Sequence, residues 1–229
     1  MTKFEAESLK VAFKTAKSVL DEFGFPNLYT VESSDIKTWF RTALSEFENA
    51  RASDEDNSIV LEANETMVRI NYGATKLVIM SSEADNWVFK IPFKNCKCNY
   101  CQMEADIYER ACKENIEEFF APCYFLEKYD SVDIYVMERA DLSYNNLYSD
   151  LYRRLSDEGR SDEEVEDIMM EVEDESGYVE WLFPYYMNYD EFETFTDFLE
   201  NADINDLHSG NIGYIGGRVV LIDYSGYRG

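Results

Sequence analysis

Asp206, Asn211 and Asp223 are the residues whose types and spacing best suit chemistry. Asn211 follows Asp206 by five positions, and Asp223 lies twelve beyond Asn211. The intervening stretch predicts a glycine-marked hairpin and then a buried strand, Val219-Val220-Leu221-Ile222, that ends on Asp223. A short hairpin there brings all three side chains towards one point. Two carboxylates and an amide oxygen at one point suit a magnesium–phosphate site. His208, the only histidine, lies inside the polar loop Asp206-Leu207-His208-Ser209-Gly210-Asn211.

Such a site needs elements to position it. Apolar residues at steps of three and four predict a helix over 4–23, ended by Gly24 and Pro26. A second helix is expected from Ser33-Ser34-Asp35, with Ile36, Phe40, Leu44 and Phe47 as its apolar stripe. Both helices are expected to cap the domain that follows, with a partner-binding helical hairpin as the minority reading. Residues 49–58 are polar and predict a linker or exposed loop. Strands are expected at 59–70, 76–80, 87–92, 119–126 and 132–137, with a helix over 99–114. From 141 to 205 the pattern is helical and strongly acidic, with helices over 142–155, 162–175 and 190–200. The aromatic patch from Trp181 to Tyr186 reads as core in preference to a docking surface. Lys90 stands inside the apolar strand Trp87-Val88-Phe89-Lys90-Ile91-Pro92, where an edge or solvent lysine is the plain alternative.

Taken in order, these features resemble the protein-kinase-like phosphotransferases. The run Asp206-Leu207-His208-Ser209-Gly210-Asn211 is similar to the catalytic loops of choline and aminoglycoside kinases and of atypical kinases. The resemblance implies that Asp206 is the catalytic base and that Asn211 and Asp223 hold Mg2+. It gives His208 a part in orienting the loop or contacting the γ-phosphate. It makes Lys90 the lysine that holds the α- and β-phosphates of ATP, paired with Glu104, with Glu109 as runner-up. Gly73 is what remains of a glycine-rich loop, with Asn71 and Lys76 standing where two further glycines would be. Glu138-Arg139-Ala140 becomes the hinge whose backbone meets adenine. The implied fold is α+β and two-lobed: a five-stranded antiparallel N-lobe sheet, a reduced helical C-lobe and extra N-terminal helices. Its boundaries are an extension over 1–58, an N-lobe over 59–140 and a C-lobe over 141–229.

Two departures qualify the resemblance. Ile204-Asn205 precede Asp206 where the family commonly has histidine with arginine or glycine, so an arginine-controlled activation segment is not expected. The sequence given stops six residues after Asp223, so the C-lobe is expected to be built from 141–205. A form this compact would suit a virus or mobile element, and host cytoplasm would then be its setting.

The formal net charge of −26 argues against a nucleic-acid-binding surface, because phosphate contacts need clustered Lys and Arg. Seventeen Tyr and 15 Phe in 229 residues argue for a folded chain. Five cysteines behind a charged N-terminus fit reduced thiols in a cytoplasm, and no apolar run is long enough for a membrane span. Cys96, Cys98 and Cys101, with Cys112 or Cys123, could hold zinc, but their spacing does not make two paired knuckles. The expected activity is ATP- and Mg2+-dependent phosphoryl transfer to a hydroxyl of a protein or small molecule. The alternatives are a pseudokinase or acidic binder that inhibits a basic partner, and transfer of the nucleotide in place of the phosphate.

Overall fold

The computed structural model describes residues 1–52, 58–172 and 177–225. The protein is α+β, with seven α-helices and a mainly antiparallel set of strands among the described residues. The chain divides into two compact units: Met1–Ala105 with Cys123–Arg139, and Asp106–Pro122 with Ala140–Gly229.

In the first unit, Thr2 and Glu5 cap helix α1 (Lys3–Glu22) reciprocally: the Thr2 hydroxyl accepts from the Glu5 N–H and the Glu5 carboxylate from the Thr2 N–H. Gly24, at φ +63°, closes it, with the Phe25 N–H reaching back to the Leu20 carbonyl and the Gly24 N–H to that of Asp21. Leu9, Ala12, Phe13, Ala16, Val19 and Leu20 form its buried stripe. Helix α2 (Ser33–Glu46) buries Ile36, Trp39, Phe40 and Ala43. The expected stripe is thus rotated: Leu44 is exposed, and Trp39 turns inward to donate to the Phe23 carbonyl at 2.9 Å.

The first unit's sheet has seven strands, not the five expected. They are β1 (Ala50–Ala52), β2 (Ser58–Ala63), β3 (Thr66–Tyr72), β4 (Lys76–Ser81), β5 (Trp87–Pro92), β6 (Cys123–Tyr129) and β7 (Val132–Glu138). Their order is β1-β2-β3-β4-β5-β7-β6, antiparallel throughout. Two local causes explain the count. Asn64 and Glu65 both take positive φ and make a two-residue turn, so the stretch 59–70 folds back as two strands. Ala50–Ala52, expected in a polar linker, pairs by backbone with the edge of β2, which needs no apolar alternation; the rest of that linker, 53–57, lies outside the described residues. The strand expected over 119–126 begins only at Cys123.

Alternation along the strands separates two faces. Ile59, Leu61, Val68, Ile70, Leu77, Ile79, Phe89, Ile91, Ile134 and Val136 share one core with α1 and α2. Lys76, Lys90 and Tyr135 belong to the opposite face, where helix α3 (Tyr100–Glu114) begins before continuing into the second unit.

The second unit contains α4 (Tyr144–Asp157), α5 (Asp162–Glu171), α6 (Gly177–Leu182), α7 (Tyr189–Asn201) and the hairpin β8 (Ile212–Ile215) and β9 (Arg218–Leu221). Of the helix expected over 162–175, residues 173–175 lie outside the described residues. In the patch from Trp181 to Tyr186, Leu182 and Phe183 are buried and Pro184 is exposed. Phe119 and Phe120 pack with Phe195, and Phe120 also meets Phe198 and Tyr224. The Ala121 N–H bonds the Leu221 carbonyl at 2.8 Å, and the Tyr224 hydroxyl bonds the Ala121 carbonyl at 2.7 Å. This packing is why Phe119–Ala121 leaves the strand pattern and joins the second unit.

Phe13 is fully buried and meets the rings of Phe89 and Tyr129 at centroid distances of 5.3 and 5.4 Å. Phe13→Ala is expected to lower stability by about 3–5 kcal/mol, read as a fall in the urea midpoint with the slope unchanged.

Candidate functional site

In the first unit, β4 and β5 pair with Lys90 opposite Val78 and Lys76 opposite Pro92. The two lysines are therefore diagonal neighbours on the face turned away from α1 and α2. Glu104 on α3 meets both. Lys90 Nζ lies 2.9 Å from each of its carboxylate oxygens, and Lys76 Nζ lies 2.7 Å from Oε1. Glu104 is 0% exposed, Lys76 4% and Lys90 5%. Glu109, the runner-up for Lys90, instead pairs with Lys113 on the exposed side of the helix.

Tyr135 holds this helix to the sheet. It sits opposite Lys90 in the β5–β7 register, and its hydroxyl donates to Gln102 Oε1 at 2.7 Å. Asn99 caps the helix by accepting the Gln102 N–H at 3.0 Å, and its Nδ2 donates to the Tyr135 hydroxyl at 3.1 Å. Two residues before Glu104, the helix is thus pinned at a fixed rotation. The buried Cys123 thiol has its pKa pushed up by burial first and then by the Glu104 carboxylate, which keeps it protonated.

Lys76 is the site residue hidden from the sequence pattern. It follows a turn and reads as a polar flank of a strand or as a replaced glycine. Its signal is its register, one pleat from Lys90 on the neighbouring strand. Gly73 lies in the β3–β4 turn at an ordinary φ, and its N–H donates to the Lys76 carbonyl at 3.1 Å. Glu138 ends β7 opposite Trp87, its carboxyl pushed up in pKa by burial and then by Glu5. Ala140 begins the second unit.

In the second unit, Gly216 and Gly217, at φ +59° and +79°, form the two-residue turn joining β8 and β9. The ladder continues past the strands: the Ile222 N–H donates to the Asn211 carbonyl at 3.0 Å, which brings the residue before Asp223 opposite Asn211. Asn211 is buried, and its Nδ2 donates to the Asp206 carbonyl at 2.9 Å, leaving Oδ1 as the amide's acceptor. His208 Nδ1 accepts the Gly210 N–H at 3.0 Å, so in the neutral ring the proton sits on Nε2, 3.4 Å from Asp206 Oδ1. Gly210 permits this approach, since a Cβ there would stand 2.8 Å from the His208 ring. The loop thus gathers Asp206, His208 and Asn211, and the hairpin returns the chain to Asn211 one residue before Asp223.

The Asn211 amide oxygen, with its nitrogen committed, and the half-buried Asp223 carboxylate are oxygen donors of the types that suit Mg2+ when water and phosphate oxygens complete the shell. Among the described residues no group of three or more His, Cys, Asp or Glu is placed to hold a metal, the cysteines included. Nor is any helix there long and apolar enough to cross a membrane.

Behind the hairpin is a network that sequence spacing does not reveal. Asp150 on α4 accepts from the hydroxyls of Tyr186 and Tyr214, at 2.5 and 3.0 Å, and pairs with Arg153 and Arg154. Tyr214 lies on β8, so the network ties the hairpin to α4. No family model matches the chain, and no curated protein or solved structure shows significant similarity to it.

Two measurements test this geometry. Glu104→Ala leaves two buried ammonium groups without their shared carboxylate and is expected to cost about 3–5 kcal/mol in chemical denaturation. At Asp150, burial pushes the carboxyl pKa up, but bonds from Tyr186, Arg153, Tyr214 and Arg154 outweigh it and hold it below its ordinary value. Its stabilisation is complete above the unfolded value of about pH 4 and is lost as pH falls through the depressed folded value. The acid limb of a stability–pH curve is expected to flatten in Asp150→Asn.

Proposed function

We propose that this chain is an ATP- and magnesium-dependent phosphotransferase with a kinase-like arrangement, acting on a hydroxyl of a protein or small molecule. The buried Lys90–Glu104 pair carries this reading. Burying two charges is costly, and hydrophobic side chains of similar volume would often serve stability as well or better. A lysine fixed in this way suits a task in which its ammonium must meet an anion at a set position.

Each residue then has a role. Lys90 holds phosphate oxygens of ATP while Glu104 fixes its direction. Asn211 and Asp223 would hold Mg2+, which supplies charge neutralisation to the phosphates when bound. Asp206 orients the acceptor hydroxyl and takes its proton as the oxygen–phosphorus bond forms. The His208 Nε2–H, facing Asp206 Oδ1, steadies that carboxylate. Exposure of the Asp206 side chain, 47%, supports access by an outside acceptor.

The test is a thermal-shift titration followed by transfer of labelled γ-phosphate to lysate proteins and metabolites. Mg-ATP is expected to stabilise the protein, by about 2.7 kcal/mol at a hundredfold excess over Kd. Asp206→Asn is expected to keep that stabilisation and lose transfer by about 10²–10⁴-fold. No stabilisation of the unsubstituted protein would sink the proposal. Binding without transfer to any acceptor would favour a non-catalytic nucleotide binder.

A further inference from the structure

Lys76 has no part in the mechanism above, yet it is as buried as Lys90 and nearer to Glu104. Both ammonium groups bond the same oxygen, Oε1, from adjacent strands. A carboxylate that gathers two ammonium groups creates a compact cationic locus, the kind of charge that recognises phosphate oxygens.

The turn before Lys76 provides the second line of argument. Backbone N–H groups of a glycine-rich turn can cradle phosphates. Here the Gly73 N–H bonds the Lys76 carbonyl, the Thr75 carbonyl takes the Phe93 N–H, and the Cys96 thiol also approaches Thr75. The turn is folded on itself and onto 93–96. Its charged donor is the side chain that follows it. Away from bulk water, an ammonium–phosphate contact is also stronger than at the surface.

We propose that Lys76 is a second phosphate-binding lysine, which with Lys90 forms a two-ammonium cradle, set by Glu104, for the polyphosphate of a nucleoside triphosphate. The assignment rests on the phosphotransferase reading for its nucleotide, but the cradle itself recognises a polyphosphate chain. Lys76 thereby supplies from a side chain the donor that a glycine-rich turn supplies from its backbone.

The experiment uses the full chain, with Mg-ATP, adenosine and inorganic tripolyphosphate as probes in calorimetry. Lys76→Met keeps an unbranched stem and leaves Lys90 on Glu104. Its affinity for Mg-ATP and tripolyphosphate is expected to fall about tenfold to a hundredfold, with adenosine binding unchanged. A second measurement needs no variant. An acyl-phosphate derivative of ATP transfers its acyl group to a lysine amine beside its terminal phosphate, releasing ATP; peptide mapping is expected to find label on both Lys76 and Lys90, blocked by excess ATP. If Lys76→Met does not fold, this labelling decides. Unchanged affinities in Lys76→Met, or label on Lys90 alone, overturn the role of Lys76 and leave the phosphotransferase reading intact. Tripolyphosphate binding that needs Lys76, in a protein that transfers nothing from ATP, supports the cradle and sinks that reading. A protein that binds neither ATP nor tripolyphosphate overturns both.

Discussion

A fully buried glutamate must be paired, and this requirement governs the first unit. Glu104 takes one lysine from β4 and one from β5. That is possible only if the two strands are in register with both lysines on one face, and if α3 lies across that face at one rotation. The Tyr135 bonds to Gln102 and Asn99 set the rotation. The opposite face, filled by Phe89, Ile79 and their neighbours against α1 and α2, holds the register. A shift of one residue in either strand would send a lysine into that apolar core and an isoleucine or phenylalanine towards the carboxylate.

In the second unit the positioning depends on turn chemistry. Gly216 and Gly217 allow the tight reversal, and the ladder it starts runs on to the bond between Ile222 and Asn211. The loop before it closes on itself through the Asn211 side chain and the His208 ring. Gly213 adds a packing demand: a Cβ there would lie 2.8 Å from the Asp141 carbonyl, against which β8 runs. The Asp150–Tyr214 bond braces the same strand from its side-chain end. A short loop carrying four polar side chains is thus held by backbone pairing, close approach at glycine and one half-buried acid.

The two groups of polar residues differ in exposure, and the difference matches their proposed tasks. The ammonium groups are nearly sealed from water, where a phosphate oxygen gains most from them. The Asp206 and His208 side chains are about half exposed, where an acceptor can arrive. The acidic helical surface adds a general field that disfavours anions in solution, so a polyphosphate would depend on the local lysine pair for its attraction.

Much of this protein was legible in its sequence. Period-3.6 stripes marked α1, α3, α5 and α7, apolar runs bounded by turn residues marked β4, β5 and β7, and glycine with an apolar run marked the hairpin that ends before Asp223. Lys90 and Glu104 could be named because an isolated lysine in an apolar strand and a glutamate in the next helix stand where the kinase-like resemblance implies an ion pair. Other features depend on contacts distant in sequence, and only the tertiary structure decided them. The Asn64-Glu65 turn lacks glycine, so two strands read as one; β1 is recruited by a backbone edge, which leaves no side-chain pattern. Phe119–Ala121 goes to the second unit because rings far along the chain receive it. Lys76 joins Glu104 across 28 positions, and Asp150 joins Tyr214 across 64. Local pattern determined which residues would form helices and strands, because that depends on neighbours; which polar side chains would share a site was decided by strand register and packing, which no local pattern records.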